Sequence, residues 1–132
     1  MRYQDKVVVV TGGSKGIGFG CVKTFIEEGA SNVVFCARKT DEGEAVAAHL
    51  NARGPERAHF IRADVSKVDD LRTLIDETVG QFGRLDCLIN NAGWHPGHKP
   101  IDDFSVQDFR TLLDLNLVSI FAACKFALPH LR

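Results

Sequence analysis

The sequence predicts an α/β fold built on a doubly wound parallel sheet, and three observations support this prediction. Short strand-like runs alternate with helical patterns four times along the 132 residues. The connections between them are short, and a glycine-rich turn links the first strand to the first helix. Such alternation implies right-handed crossovers, and the strand order 3-2-1-4 fits it. With 45% hydrophobic and 25% charged residues, residues 1–132 have the composition of a single domain.

The first three strand–helix units follow from residue type and from chain breakers. Residues 7–10 are consecutive valines with polar neighbours, which is typical of a strand buried on both faces. The helical pattern over residues 17–28 ends at Gly29, and the pattern over 41–53 ends at Gly54. The short apolar runs 32–36 and 59–62 predict strands 2 and 3. Ser66 is expected to cap the third helix, residues 67–82, with Asp69 as its reciprocal partner.

The fourth unit is a strand over residues 87–90 and, after a loop, a long helix. Ser105 and Asp108 mark the start of this helix, which runs towards Pro129. It carries apolar residues at helical spacing, namely Phe109, Leu112, Leu113, Leu117, Ile120, Phe121 and Cys124. The pattern therefore predicts a Rossmann-like doubly wound sheet that stops after four strands and four helices. A ligand site is expected at the carboxyl ends of strands 1 and 4, where the strand order reverses.

Charge, hydropathy and cysteine usage narrow the class of protein. The formal net charge is −1 and no basic face stands out, so nucleic acid is not an expected partner. No apolar run approaches the roughly 20 residues of a membrane span, and the polar N-terminus lacks a signal-peptide core. A cytoplasmic protein without membrane association is therefore expected. The four cysteines form no Cys-x-x-Cys pair, and His95 and His98 lack suitable neighbours, so no metal site is predicted.

A glycine-rich segment, Thr11-Gly-Gly-Ser-Lys-Gly-Ile-Gly18, follows the first strand and opens the first helix. A phosphate needs backbone N–H donors to which no Cβ blocks access. A helix N-terminus adds the positive end of the helix dipole. The spacing is G-x-x-x-G-x-G rather than G-x-G-x-x-G. The segment predicts a pyrophosphate site, and a tight strand–helix turn without a ligand is the alternative. The residues of this candidate site are Gly12, Ser14, Lys15, Gly16, Ile17 and Gly18.

The residues after strand 2 bear on which dinucleotide binds. An acidic residue about 20 positions beyond the glycines would accept a hydrogen bond from the ribose 2′-OH of NAD. Here Ala37-Arg38-Lys39 places two cations at that point and no carboxylate. The forked guanidinium of Arg38 can bind a 2′-phosphate, and Lys15 can add a second positive charge. NADP is therefore the favoured cofactor and NAD the alternative, unless Arg38 and Lys39 are merely solvated residues at a helix start.

Three motifs, in this order, resemble the short-chain dehydrogenase/reductase family. They are Thr-Gly-x-x-x-Gly-x-Gly after strand 1, Asn90-Asn91-Ala92-Gly93 after strand 4, and Asn116 inside the following helix. Further stretches, among them 82–87 and 127–132, are similar to hydroxysteroid dehydrogenases of that family. The resemblance implies hydride transfer between nicotinamide and a secondary alcohol or ketone, with a steroid-like substrate as one option. It also implies that the full-length protein forms homo-oligomers.

The resemblance assigns roles to further residues at the predicted ligand edge. Asp64, which Val65 follows, would lie near the adenine amino group; the alternative, compatible with it, is a loop aspartate that caps the next helix. Asn91, Ala92 and Gly93 would border the cofactor at the end of strand 4. Small side chains suit this position because the cofactor lies against the sheet edge, and a plain turn is the alternative.

The resemblance also indicates which catalytic groups to look for. Asn116 would be the catalytic asparagine that holds a water in a proton relay through a lysine, or an amide that satisfies local carbonyls, and both can hold together. The tyrosine acid/base, the lysine four residues after it and the substrate-orienting serine have no counterpart, since the one tyrosine is Tyr3. The chain is therefore expected to be a truncated form, inactive by itself, with a non-catalytic dinucleotide-binding or dimerisation module as the alternative. Trp94 and His95 are expected at the mouth of the substrate site, and an exposed loop aromatic without such a role is the alternative.

Overall fold

A four-stranded parallel sheet forms the centre of the structure, a computed structural model that describes residues 1–95 and 97–132. The strands are β1 (Val7–Thr11), β2 (Asn32–Ala37), β3 (Ala58–Arg62) and β4 (Cys87–Ile89). Helices α1 (Gly16–Glu27), α2 (Thr40–Asn51) and α3 (Val68–Phe82) alternate with them, and a longer helical segment follows β4. The strand order is β3-β2-β1-β4 and each pairing is parallel, which confirms the predicted fold class and strand order.

The two faces of the sheet bury different side chains of β1, because successive residues of a strand point to opposite faces. On one face, Val9 belongs to a core that includes Leu74 of α3. On the other face, Val8 belongs to a core that includes Phe35 of β2 and Val22 of α1. Helices thus cover both faces, as in a doubly wound sheet. The carboxyl ends of the parallel strands are left at one shared edge, where a ligand can reach them.

The start of α3 differs from the prediction. The helix begins at Val68, and its N-cap residue Lys67 makes no side-chain capping bond. The Ser66 hydroxyl instead donates a hydrogen bond to Asp64 Oδ1 at 2.6 Å. The predicted capping box between Ser66 and Asp69 is therefore wrong, because Asp64 offers the serine a nearer acceptor in the turn after β3.

The terminal helical segment runs from Val106 to Leu131 and has three parts. These are α4 (Val106–Leu113), a π-helical turn (Asp114–Val118) and α5 (Ser119–Leu131). The Ser105 side chain caps α4 by accepting a hydrogen bond from Asp108 N at 2.9 Å, which confirms the predicted start. At the other end, Pro129 lies inside α5 and the helix continues to Leu131.

The predicted apolar stripe of this terminal segment is present, but much of it is exposed. The side chains of Phe109, Leu117 and Phe121 are 50%, 61% and 69% exposed. The buried side carries small residues such as Ala122, which packs in a cluster with Leu71 of α3. In the described structure the segment therefore docks through small residues and Phe126, and most large apolar residues of the predicted stripe face outward.

The terminal segment also corrects the expectation that nothing in the chain approaches a membrane span. An 18-residue window within Val106–Leu131 has a mean hydropathy of 1.6, so length and composition alone would allow this helix to cross a membrane. Asp114, Asn116 and Lys125 divide this segment into short apolar runs, which is why the sequence did not indicate a span. A core helix of a soluble protein passes the same test, and 22% of this window is buried.

Asp86 fastens the start of β1 to the segment that leads into β4. Its Oδ2 accepts hydrogen bonds from Val7 N at 2.9 Å and from Arg84 Nε at 2.8 Å. Its Oδ1 accepts a further hydrogen bond from Arg84 Nη2 at 2.7 Å. The bonds from Arg84 outweigh partial burial and, with the Val7 amide, hold the pKa of the Asp86 carboxyl below its ordinary 3.8.

We expect Asp86→Asn to destabilise the fold by about 1–2 kcal/mol near neutral pH, because the amide cannot accept all three hydrogen bonds. A carboxyl with a lowered folded pKa stabilises the protein above pH 3.8 and loses that contribution as the pH falls through the folded pKa. Urea unfolding of both proteins should therefore show a difference that shrinks towards acid pH. The exposed Asp76→Asn is the matched control. A difference independent of pH would contradict this account of Asp86.

Candidate functional site

A cleft of about 320 Å³ lies at the carboxyl edge of the sheet. Its lining residues are Gly12, Ser14, Lys15, Cys36, Ala37, Arg38, Lys39, Glu42, Ala63, Val65, Asn91, Ala92, Gly93, Trp94 and Leu115. The cleft thus brings together predicted residues from the glycine-rich turn, the end of β2, the turn after β3 and the end of β4. Other predicted residues do not line it in the part of the chain that the structure describes: Gly16, Ile17, Gly18, Asp64 and Asn116.

Two amides fix the glycine-rich turn to β2. Gly12 N and Gly13 N both donate to Cys36 O, at 2.9 and 3.2 Å. Gly12 has φ +71° and Gly16 has φ +60°, in the left-handed region that favours glycine. Because the sheet uses two amides of the turn, the N–H groups left for an anion are those from Ser14 to the first turn of α1.

The N-terminus of α1 is open to an anion. Within the described residues, its N-cap residue Lys15 makes no side-chain capping bond and its first turn contains no acidic residue. The first N–H groups of a helix have no acceptor within the helix, and they carry the positive end of the dipole. Ile17, in this first turn, is 80% exposed. A turn with an open helix N-terminus of this kind can accept a phosphate.

Gly18 contributes to the site by close packing rather than by lining the cleft. A Cβ built on Gly18 would overlap Gly12 O and would lie 2.5 Å from Asn91 Nδ2. Asn91 Nδ2 itself donates to Gly12 O at 3.0 Å. A Cβ on Gly12 would lie 3.1 Å from Ala92 Cα. The motifs after β1 and β4 are therefore in direct contact, with no room for a larger residue between them.

Thr11, the last residue of β1, joins two parts of the candidate site, and the sequence analysis gave it no role. It is 3% exposed, and its Oγ1 accepts hydrogen bonds from Asn91 N at 3.0 Å and Ala92 N at 3.1 Å. The same hydroxyl donates to Ile89 O at 3.5 Å. One side chain therefore holds the end of β4 beside the glycine-rich turn. A hydroxyl residue at the end of an otherwise valine strand is the signal that could have indicated it.

The end of the cleft beside β2 contains one carboxylate as well as cations. Lys39 Nζ lies 3.8 Å from Glu42 Oε1, and both residues line the cleft. Of the two cations predicted here, Lys39, the N-cap residue of α2, is thus paired with Glu42 of that helix. Arg38 is an exposed residue at the cleft wall. Sequence reasoning missed Glu42 because it looked for an acid at the end of β2 itself, and Glu42 reaches the cleft from the first turn of α2.

Asp64 organises the turn after β3. Its Oδ1 accepts hydrogen bonds from Ser66 N at 3.0 Å and Ser66 Oγ at 2.6 Å, while its own N–H donates to Asp70 Oδ2 at 2.8 Å. Burial raises the pKa of the Asp64 carboxyl, but the Ser66 hydrogen bonds and the charges of Arg38 and Lys67 outweigh burial and bring it below 3.8. The Asp64 carboxylate is therefore ionised near neutral pH.

Asn116 joins the terminal helical segment to the loop after β4. Its Nδ2 donates to Trp94 O at 2.5 Å and to Leu112 O at 2.9 Å, and its Oδ1 accepts from Trp94 N at 3.0 Å. A Cβ on Gly93 would lie 2.7 Å from Asn116 Oδ1. The residue lies in the π-helical turn, and such turns are frequent at functional sites. These bonds show an amide that satisfies local backbone groups, and its catalytic role stays a prediction.

One cysteine lines the cleft, and two histidines lie in the loop after β4. Burial raises the pKa of the Cys36 thiol to about 11, so this wall of the cleft holds an unreactive thiol. The rings of His95 and His98 lie 6.2 Å apart. Residues 1–95 and 97–132 contain no group of three His, Cys, Asp or Glu side chains that could hold a metal ion. Trp94 borders the cleft on the side of Leu115, whereas His95 is not a lining residue.

Comparisons with known proteins agree with this geometry. The family model described as short chain dehydrogenase matches residues 6–132. L-fucose dehydrogenase of Oryctolagus cuniculus is 48% identical over 99% of this chain and 44% of its own length. The L-fucose dehydrogenase of Rattus norvegicus is 49% identical, with 99% and 46% covered. The 11-beta-hydroxysteroid dehydrogenase-like 2 of Arabidopsis thaliana is 40% identical over 96% of this chain and 41% of its own length.

Solved structures show the same fold. Two double mutants of a Serratia marcescens short-chain dehydrogenase/reductase superpose with TM-scores of 0.90 and 0.91 at 34% identity. They match 100% of this chain and 53% of their own chains. The chain spans less than half the length of the curated relatives named above. Since the family model covers nearly every residue and the motifs after β1 and β4 meet at one cleft, the chain belongs to the short-chain dehydrogenase family.

Proposed function

We propose that this chain binds a nicotinamide dinucleotide in the cleft at the carboxyl edge of the sheet. The observation that carries the proposal is the glycine-rich turn, which is fixed to Cys36 O by two amides while the N-terminus of α1 stays open. A dinucleotide fits the residues present, because a Cβ on Gly16 would meet nothing within 4 Å, while the contact of Gly18 with Gly12 O holds the turn in place. Members of the short-chain dehydrogenase family bind NAD or NADP.

The lining residues suggest an orientation for the dinucleotide. The diphosphate would contact the amides from Ser14 to the first turn of α1 and the charge of Lys15. The adenosine would lie towards Arg38 and Val65, which line the cleft beside β2 and β3. The nicotinamide would lie towards the end of β4, where the small residues of the Asn-Asn-Ala-Gly motif line the cleft beside Trp94. Each assignment follows from the order of these groups along the sheet edge.

The preferred cofactor in this proposal is NADP, with NAD as the alternative. Arg38 is an exposed cation at the cleft wall, and no acidic residue occupies the end of β2. A guanidinium can form paired hydrogen bonds to a 2′-phosphate, which hydrogen-bonds more strongly than a hydroxyl because it is charged. Lys15 adds positive charge from the glycine-rich turn.

For the whole protein we propose oxidation of a secondary alcohol, or reduction of a ketone, with the nicotinamide accepting or supplying hydride. The substrate would be a sugar or a steroid. Two of the matched relatives are named L-fucose dehydrogenases and another an 11-beta-hydroxysteroid dehydrogenase-like protein. Segments 82–87 and 127–132 resemble 17β-hydroxysteroid dehydrogenase type 14. Asn116 would hold the loop after β4 in place and contribute to proton relay. Homo-oligomers and a cytoplasmic location belong to the same proposal.

A non-catalytic dinucleotide-binding or dimerisation module is the second candidate function. It would describe the 132 residues taken by themselves, whose sequence contains no Tyr-x-x-x-Lys. Assays of the whole protein with L-fucose and with a hydroxysteroid, each with NADP and NAD, distinguish the two functions. Cofactor reduction that depends on one of these alcohols supports the enzyme, and binding of the cofactor without turnover supports the module.

Calorimetric titration with NADP and NAD tests the cofactor assignment. We expect the wild type to bind NADP more tightly, and Arg38→Asp to weaken NADP binding by roughly 10- to 100-fold, because a hydrogen-bonded ion pair is lost and a like charge is introduced. Binding of NAD should change far less. The control is Arg53→Asp, an exposed arginine outside the cleft. Equal affinities of the wild type for NADP and NAD would overturn the NADP preference, and no binding of either would overturn the proposed site.

A further inference from the structure

The charges of the cleft do not all favour a 2′-phosphate. Its walls carry the cations Lys15, Arg38 and Lys39, and one carboxylate, Glu42. Glu42 belongs to the first turn of α2, three positions after the N-cap residue Lys39. The acid that the end of β2 lacks is therefore supplied by the next element of the chain, on the same side of the cleft as Arg38.

Glu42 is paired with the cation that would otherwise be free for a ligand. Lys39 Nζ lies 3.8 Å from Glu42 Oε1, and the two side chains are 73% and 51% exposed. An exposed ion pair of this kind contributes little to stability, so a ligand can compete for either partner. A 2′-phosphate that recruited Lys39 would lie beside the Glu42 carboxylate, which has like charge. An unphosphorylated ribose meets no such repulsion, and its hydroxyl can donate to a carboxylate oxygen.

We propose that Glu42 is a specificity-determining residue that opposes Arg38. Arg38 attracts a 2′-phosphate, and Glu42 limits this attraction both by neutralising Lys39 and by repelling the phosphate. The cleft therefore admits an unphosphorylated ribose. It favours a 2′-phosphate over a 2′-hydroxyl less strongly than its three cations alone would. This inference rests on the proposed nucleotide site and assigns to it a determinant that lies outside the end of β2.

The test compares Glu42→Gln with Glu44→Gln, using 2′,5′-ADP and 5′-ADP as probes in calorimetric titrations. Glu44 is the matched control because it is an exposed glutamate of the same helix that does not line the cleft. We expect Glu42→Gln to tighten binding of 2′,5′-ADP about two- to fivefold relative to 5′-ADP, a range set by the strength of exposed charge interactions. The gain should shrink at high salt, because exposed charges are screened. Glu44→Gln should leave the ratio of affinities unchanged.

The outcomes separate this inference from the proposed function. If the wild type binds both probes and Glu42→Gln leaves the ratio of affinities as it was, the role of Glu42 is refuted and the nucleotide site stands. If Glu42→Gln and Glu44→Gln shift the ratio equally, the effect is general charge and the role of Glu42 is again refuted. If the wild type binds neither probe, the nucleotide site itself is refuted and the inference with it. Thermal unfolding of both variants confirms that they are folded, and neither substitution removes a buried contact.

Discussion

Replacing Gly18 with alanine is expected to abolish tight nucleotide binding and to destabilise the fold. The new Cβ would overlap Gly12 O and would lie 2.5 Å from Asn91 Nδ2, the group that donates to Gly12 O at 3.0 Å. The clash joins the first turn of α1 to the backbone of Gly12, so no side-chain rotation relieves it. The glycine-rich turn therefore has to move as a unit. Overpacking of this kind costs about 1–3 kcal/mol. Displacement of the turn should weaken dinucleotide binding at least roughly tenfold.

The matched control is Gly20→Ala, two positions along the same helix. A Cβ on Gly20 meets nothing within 4 Å. Alanine is the better helix former, so this variant should be more stable than the wild type by about 0.5–1 kcal/mol with unchanged affinity. Urea unfolding and calorimetric titration of both variants make the comparison. Wild-type affinity in a folded Gly18→Ala protein would show that the contact between Gly18 and Gly12 has no part in shaping the site.

Phe35→Ala is expected to be the most destabilising single substitution of those proposed here, at about 3–5 kcal/mol. Phe35 is fully buried in β2, and its ring centroid lies 5.6 Å from that of Phe60. A Cβ on Gly13 would lie 2.5 Å from Phe35 Cβ, so the aromatic residue packs directly beneath the glycine-rich turn. Truncation would leave a cavity under the turn and remove buried apolar surface from the core.

Phe121→Ala is the control variant. It distinguishes the effect of losing buried packing from the effect of removing a phenylalanine ring in general. Phe121 is 69% exposed on α5, so its truncation should change the free energy of unfolding by no more than about 0.5 kcal/mol. Chemical denaturation of the two variants measures the difference directly. Comparable stabilities of the Phe35 and Phe121 variants would mean that the core beneath the turn collapses to fill the cavity, contrary to the packing described here.

Much of the fold was predictable because it depends on local patterns. The four valines of β1 and the glycines after them indicate a buried strand and a ligand turn without knowledge of any distant contact. The start of α4 was equally local, since Ser105 accepts from Asp108 N three residues on. The sequence allowed Gly18 and Asn91 to be assigned to one site, because parallel strands end at a shared edge of the sheet. Their direct contact could not be predicted from it.

The sequence could not show features set by which neighbour is nearest in space. Ser66 bonds to the Asp64 carboxylate rather than capping α3, a choice between an acceptor two residues before it and an amide donor three residues after it. Glu42 reaches the cleft only because α2 starts at its wall. Most large apolar residues of the predicted stripe face outward, because the side with Ala122 and Phe126 is the one that packs against α3. Helical spacing alone identifies an apolar face and not its partner.

The hydrogen bonds of the Thr11 hydroxyl bear on how the cleft forms during folding. It accepts from the amides of residues 80 and 81 positions further along the chain, Asn91 and Ala92. Closing so long a stretch of chain costs entropy that no local preference offsets. A peptide that contained the glycine-rich turn but ended before β4 would therefore have the sequence motif of a nucleotide site and only one wall of the cleft. The binding surface is a product of the longest-range strand pairing in the sheet, between β1 and β4.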